Sequence, residues 1–130
     1  MKSNLSDRLT ELDPPYESGE ELKIGRVLDQ YGIPFFYRQP TILYNQGKNE
    51  IFKPSFTLYS YGGTVIDYLP ADGLLEREDL YRYNQIPAVV LGPKDLDKPK
   101  WDQDLYDKLE QVYRHAFDPV RYLTAMKKDS

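Results

Sequence analysis

Two residues in "EIFKPSFTLYSYGGTVIDYLP" (50–70) are out of keeping with their neighbours. Asp67 puts a lone carboxylate after "TVI", the most apolar part of its strand, and Ser55 follows Pro54 in a run that is otherwise apolar and aromatic. A carboxylate facing a sheet needs a compensating charge, and Lys53 or Arg38 could supply it as a structural ion pair. Ser55, taken alone, reads as a strand residue whose hydroxyl a neighbour satisfies. A further acid, Glu21, completes "SGEE" from Ser18, the S-x-x-E spacing of a capping box, in which its carboxylate would bond back to the Ser18 amide. Strand alternation puts Val65, Asp67 and Leu69 on one face, and Lys53, Ser55 and Thr57 on one face of the neighbouring strand.

Other chemistry-bearing residues offer less. The chain has no cysteine, which excludes disulfides and thiolate metal sites. Its only histidine, His115, has no partner in sequence. Twelve tyrosines could stack on bases, but such residues are far more often half-buried in strands with the hydroxyl in water. Gly62–Gly63 reads as a hairpin turn, not a phosphate loop, because no helix follows it closely.

The elements that hold these residues are well signalled. After the capping box, Ile24, Val27, Leu28 and Tyr31 recur at helical spacing and Gly32 closes the helix. "IPFFYRQPTILY" (33–44) is strand-like, broken by Pro40; "NQGKN" (45–49) is a turn; strands follow at about 50–60 and 64–69. "DGLLEREDLYRYN" (72–84) reads as a helix with Leu74, Leu75 and Leu80 as core contacts. "IPAVVLG" (86–92) has the continuous apolar run of a strand buried on both faces. "KWDQDLYDKLEQVYRHAF" (100–117) is amphipathic, with Trp101, Leu105, Leu109, Val112 and Tyr113 on one stripe. Asp118–Pro119 opens a last helix to about Lys127, and a short helix is marked at Leu5–Leu12. A helix between two strands predicts a crossover onto the same sheet. The expectation is therefore an α/β fold: a three-layer αβα sandwich on a mixed sheet of four or slightly more strands, in the order helix-strand-strand-strand-helix-strand-helix.

With 130 residues, 40% apolar and 29% charged, one domain is expected, at 17–130 behind a polar arm at 1–16. No apolar run approaches the ~20 residues of a membrane span, and the N-terminus lacks the apolar core of a signal peptide, so a cytoplasmic protein is expected. The net charge of −4 argues against a dedicated nucleic-acid binder. Residues 23–61 nonetheless hold five basic against two acidic groups; such a segment can serve phosphate, but is more often a solvated face.

The order of elements, with these residues on it, resembles the restriction-endonuclease-like fold of the PD-(D/E)xK nuclease superfamily from about Ser18 to Tyr113. "SGEELKIGRVLDQYGIPFFYRQP" is similar to the opening helix with an inward Glu, the "GIP" and the aromatic strand of small bacterial members. "KPSFTLYSYGGTVIDYL" stands where the family carries its Pro-Asp-Phe hairpin and Glu-x-Lys, and "LYRYNQIPAVVLGPKDL" resembles the helix and buried strand that follow.

The resemblance implies a site, and the sequence departs from it. In the family, two acids hold Mg²⁺, which polarises the scissile phosphate and generates hydroxide, while the lysine supports the attacking water. Matched by position, Glu21 keeps the helix carboxylate and Asp67 the second acid. Ser55 replaces the first acid, and Leu69 replaces the lysine. A neutral hydroxyl is a weak Mg²⁺ ligand, and leucine can neither orient water nor stabilise an anion. Glu21, Ser55, Asp67 and Leu69 thus read as a remnant site without cofactor, and the chain as an inactive nuclease-like domain. Its expected role is to bind DNA or RNA weakly, or a protein partner, including a second copy. Two rivals stand beside this. One is a diverged Mg²⁺-dependent nuclease in which Lys53 rescues the missing lysine beside Asp67 and Glu21. The other is an unrelated small α/β protein acting through an aromatic interface near Tyr59, Tyr61 and Tyr68.

Overall fold

A computed structural model describes residues 16–117, with side chains described over residues 16–114. The arm at 1–15, the Leu5–Leu12 helix and the helix expected after Asp118 lie outside the described residues. Helix α1 (Gly19–Gln30) begins where the capping signal places it: the Ser18 hydroxyl accepts the Glu21 N–H. It ends at Tyr31, and Gly32 takes the left-handed conformation (φ +70) that glycine adopts without steric cost. Within α1, a Cβ on Gly25 would run into the Tyr16 ring, so a bare backbone is what lets that ring lie against the helix.

The protein is α/β, with a four-stranded mixed sheet and helices. The order of elements differs from the sequence expectation. The region read as two long strands is four short ones: β1 (Phe36–Tyr37), β2 (Thr41–Asn45), β3 (Lys48–Phe52) and β4 (Phe56–Leu58). The cause is visible in the sequence. Pro40 has no N–H to give a ladder and follows Arg38, whose φ is +54, and Pro54 interrupts the second run in the same way. Strands β2 and β3 pair only with each other, as an antiparallel hairpin. A 3₁₀ turn (Tyr59–Tyr61) and two left-handed glycines, Gly62 and Gly63, lead into β5 (Thr64–Tyr68). Helix α2 (Leu74–Tyr83) then crosses to β6 (Ala88–Leu91), followed by a short helix α3 (Pro93–Leu96) and the long α4 (Trp101–Phe117).

The sheet runs β1-β4-β5-β6. The β1–β4 and β4–β5 pairs are antiparallel, and β5–β6 is parallel with Val65 opposite Ala88 and Asp67 opposite Val90, as expected for strands joined by a helix. Its central strand β5 is buried along its whole length. Alternation sends Ile66 and Tyr68 into one cluster with Phe56, Val89, Ile24 and Leu28 of α1, and Leu105 and Leu109 of α4. Val65 and Val90 point the other way, to Leu43 of the hairpin and Tyr81 of α2, with Leu69, Leu74 and Leu80 packed against them. Leu75 is 73% exposed, so its expected place in the core is wrong. The inward stripe runs from Leu74 to Tyr81, two turns on, and Leu75 lies about 100° off it.

Candidate functional site

Ser55 lies between the elements rather than in one. The chain from Lys53 to Ser55 is not strand, so the alternation expected for Lys53, Ser55 and Thr57 does not apply there. The kink at Pro54 frees the serine to face two ways, and its three polar groups make four hydrogen bonds. Its hydroxyl donates to Glu21 Oε2 at 2.6 Å and accepts the Tyr68 N–H at 3.1 Å. Its N–H donates to Asp67 Oδ1 at 3.4 Å, and its carbonyl accepts the Arg38 N–H at 3.1 Å. Ser55 is fully buried, with Glu21 1% and Asp67 3% exposed.

Glu21 points inward from the first turn of α1. The capping box is therefore only half used: the Ser18 hydroxyl caps the helix, while the Glu21 carboxylate takes Tyr37, Arg38 and Ser55 as donors. The Tyr37 hydroxyl donates to Oε1 at 2.6 Å and accepts the Glu17 N–H at 2.8 Å. The Arg38 guanidinium lies 2.9 Å from Oε2 and 3.1 Å from Glu17 Oε2, and also donates to the Lys53 carbonyl. The left-handed turn at Arg38, uncommon for a non-glycine residue, is held at the end of β1 by the hydrogen bond its N–H donates to the Ser55 carbonyl. Burial works against the guanidinium charge. The Tyr37 hydroxyl and the carboxylates of Glu21 and Glu17 outweigh it, and the Arg38 pKa rises above its ordinary value. Burial, then the bond to Glu21, likewise pushes the Tyr37 phenol up.

Asp67 is served by α2. Arg77 Nη1 and the Tyr81 hydroxyl each stand 2.7 Å from Oδ2. These residues sit four apart on one helical face, which is why both reach the same oxygen. Phe52 of β3 lies under the Arg77 guanidinium, 5.1 Å from ring centroid to Cζ, so the hairpin helps to orient it. Burial, then the Asp67 charge and hydrogen bond, push the Tyr81 phenol far above its ordinary range.

Glu21, Ser55 and Asp67 are thus brought together, with Ser55 as the link between the two acids. Leu69 is close along β5 but belongs to the apolar cluster around Val65, Tyr81 and Val90. Lys53 is exposed and forms no ion pair with either carboxylate; the cations are Arg38 and Arg77. Neither ion pair proposed for Asp67 from the sequence forms, since Arg38 serves Glu21 instead. Sequence reasoning missed Tyr37, Arg77 and Tyr81. The i, i+4 spacing of Arg77 and Tyr81 was an available signal, but nothing in it names Asp67 as the target.

Tested against the Mg²⁺ that the nuclease resemblance implies, the donor set does not fit. A hard cation needs several free oxygens. Here Glu21 Oε2 and Asp67 Oδ2 each already accept a guanidinium and a hydroxyl. Among the described residues no group of three His, Cys, Asp or Glu side chains could hold a metal. No family model, no curated protein and no solved structure matches the chain. Among the described residues no helix is long and apolar enough to cross a membrane.

Proposed function

We propose that the chain is a binding or assembly module on a nuclease-like scaffold, without metal-dependent hydrolysis, acting in the cytoplasm on nucleic acid or protein. One observation carries this reading: the two acids that would hold a catalytic ion are buried and already engaged, Glu21 by Arg38, Tyr37 and Ser55 and Asp67 by Arg77 and Tyr81. Removing water and capping both charges with fixed cations suits a structural network, whereas a metal-activated nucleophile needs an open coordination position. The parallel β5–β6 pair joined by α2, and the inward Glu21, support the nuclease-like scaffold. The rival nuclease using Asp67, Glu21 and Lys53 needs the lysine at the carboxylates, and Lys53 is in solvent. The rival of an unrelated interaction protein needs an aromatic interface near Tyr59, Tyr61 and Tyr68, but Tyr68 is buried in the sheet and of the three only Tyr59 is exposed.

The test is a supercoiled-plasmid nicking assay in Mg²⁺ and Mn²⁺, with Asp67→Ala as control. No nicking above the control is expected. Metal-dependent nicking by the wild type that Asp67→Ala abolishes overturns the proposal. Binding to duplex and single-stranded DNA across a salt series tests the nucleic-acid arm, because phosphate contacts weaken as salt rises.

A further inference from the structure

The β2–β3 hairpin buries only one of its faces. Leu43 is fully buried against the Val65–Tyr81 cluster, and Phe52 packs there too. On the other face Ile42 and Ile51 are direct cross-strand partners and are 68% and 69% exposed. Tyr44 follows on the same face of β2, two residues on. Its ring lies 6.1 Å from that of Tyr83 on α2, stacked, and Tyr83 is 69% exposed. Two isoleucines and two tyrosines therefore form one continuous apolar stripe from the hairpin to the helix.

This stripe is held in place. Asn84, at the end of α2, binds the Tyr44 backbone on both sides: it accepts the Tyr44 N–H at 2.8 Å and donates to the Tyr44 carbonyl at 3.1 Å, while also donating to Leu80 O. A surface fixed before binding loses little conformational freedom when a partner arrives. Threonine would serve a solvent-facing strand position as well as isoleucine does, so an opposed, exposed Ile pair calls for a covering partner.

The charge beside the stripe selects that partner. A cleft of about 600 Å³ opens between the hairpin tip and α2, with Tyr44 and Tyr83 on its walls. Glu76 and Asp79 line it, and no lysine or arginine does among the described residues. Asp79 also meets Arg82 at 2.7 Å, but both side chains are more than 70% exposed, and such a pair is worth little. The cleft repels phosphate and favours a cation, which gains both the carboxylates and the tyrosine faces.

We propose that the outer face of the β2–β3 hairpin, continued by Tyr44 and Tyr83, docks a partner protein through a segment that sets a lysine or arginine beside aliphatic residues. The inference rests on the reading of the chain as a binding module and names the kind of partner.

Two synthetic twelve-residue peptides test it, one alternating isoleucine with arginine and one isoleucine with glutamate, titrated into the ¹⁵N-labelled full chain. The cationic peptide is expected to shift amides at 42–44, 51 and 76–84, and to bind at least about tenfold tighter than the acidic one. Ile42→Thr/Ile51→Thr should weaken it about tenfold, and Tyr83→Ser several-fold. Glu76→Gln/Asp79→Asn should weaken it about fivefold and flatten its salt dependence. Thermal melts confirm that each variant is folded, and Tyr83→Ser alone decides the matter should the hairpin double variant unfold. Equal binding of the two peptides, shifts confined to other residues, or unchanged affinity in the variants overturns the proposal. So does a twenty-base-pair duplex that competes for the same amides. A wild-type dimer in sedimentation that Ile42→Thr/Ile51→Thr dissolves would give the face to a second copy, and also overturns it. The nicking assay on the same preparation is independent: cleavage would remove the metal-free module reading and leave the peptide result standing.

Discussion

Ser55→Ala removes one oxygen and should cost far more than a surface serine would. The backbone bonds to Asp67 and Arg38 survive, and the methyl is no larger than the group it replaces. Two interactions are lost together. Glu21 Oε2 loses its 2.6 Å donor; a hydrogen bond to a charged group contributes about 1.5–3 kcal/mol. The Tyr68 N–H loses its acceptor inside the sheet; a buried unpaired donor costs about 1–3 kcal/mol. With Ser55 fully buried, water has no ready route to either group, and the combined loss is expected at about 3–5 kcal/mol. For a chain of this size that lowers Tm by roughly 10–20 °C. Urea unfolding followed by circular dichroism measures it, with an unchanged m-value showing that the unfolded and folded states keep their compactness. A loss below about 1 kcal/mol would refute the claim that Ser55 is the link between the two buried acids.

Four other outcomes follow from the same geometry. Ser55→Asp sets a third carboxylate against Glu21, a repulsion of about 4 kcal/mol at ~4 Å and an effective dielectric near 20; its Tm should fall, and millimolar Mg²⁺ should not restore it because Arg38 and Arg77 occupy the neighbouring oxygens. Arg77→Met leaves Asp67 with Tyr81 and a long amide contact, and is expected to destabilise by about 2–4 kcal/mol in urea melts, since Arg77 keeps some solvent. Gly25→Ala should destabilise despite its better helix propensity, because its methyl meets the Tyr16 ring; a raised Tm would show that Tyr16 moves aside freely. Burial, then the charges of Tyr106 and Glu110, hold the Tyr61 phenol up to about 12, and Tyr81 is raised too. Both protonated phenols contribute stability that is complete below pH ~10, where unfolded tyrosine titrates, and is lost as pH rises through the folded values. Absorbance titration of the native chain should therefore show a late-ionising class that loses two tyrosines in Tyr61→Phe/Tyr81→Phe, with Tyr37, Tyr68 and Tyr106, also raised, still titrating late, and a single midpoint near 10 in the wild type would contradict this.

Much of the framework is written locally. The S-x-x-E signal starts α1 at the right residue, the apolar run at 86–92 becomes the buried strand β6, and the stripe on 100–117 becomes α4 with Leu105 and Leu109 inside. These succeed because helix and strand periods follow from the covalent geometry of neighbouring residues. The same local signals show that Ser55 and Asp67 are anomalous, since each breaks its own pattern.

What the tertiary structure alone decided is who meets them. Glu21 finds Ser55 across 34 positions and takes Arg38 across 17 rather than the nearby Lys23, and Asp67 takes Arg77 rather than Lys53. Sequence distance does not rank such partners. A cation is chosen by which backbone path aims it inward, and here that is set by the left-handed turn at Arg38, the kink at Pro54 and the helical phase of α2. The hairpin was legible as strand and turn, but its separation from the main sheet, which leaves Ile42 and Ile51 facing water, depends on where two prolines break the ladders and on what β4 pairs with instead.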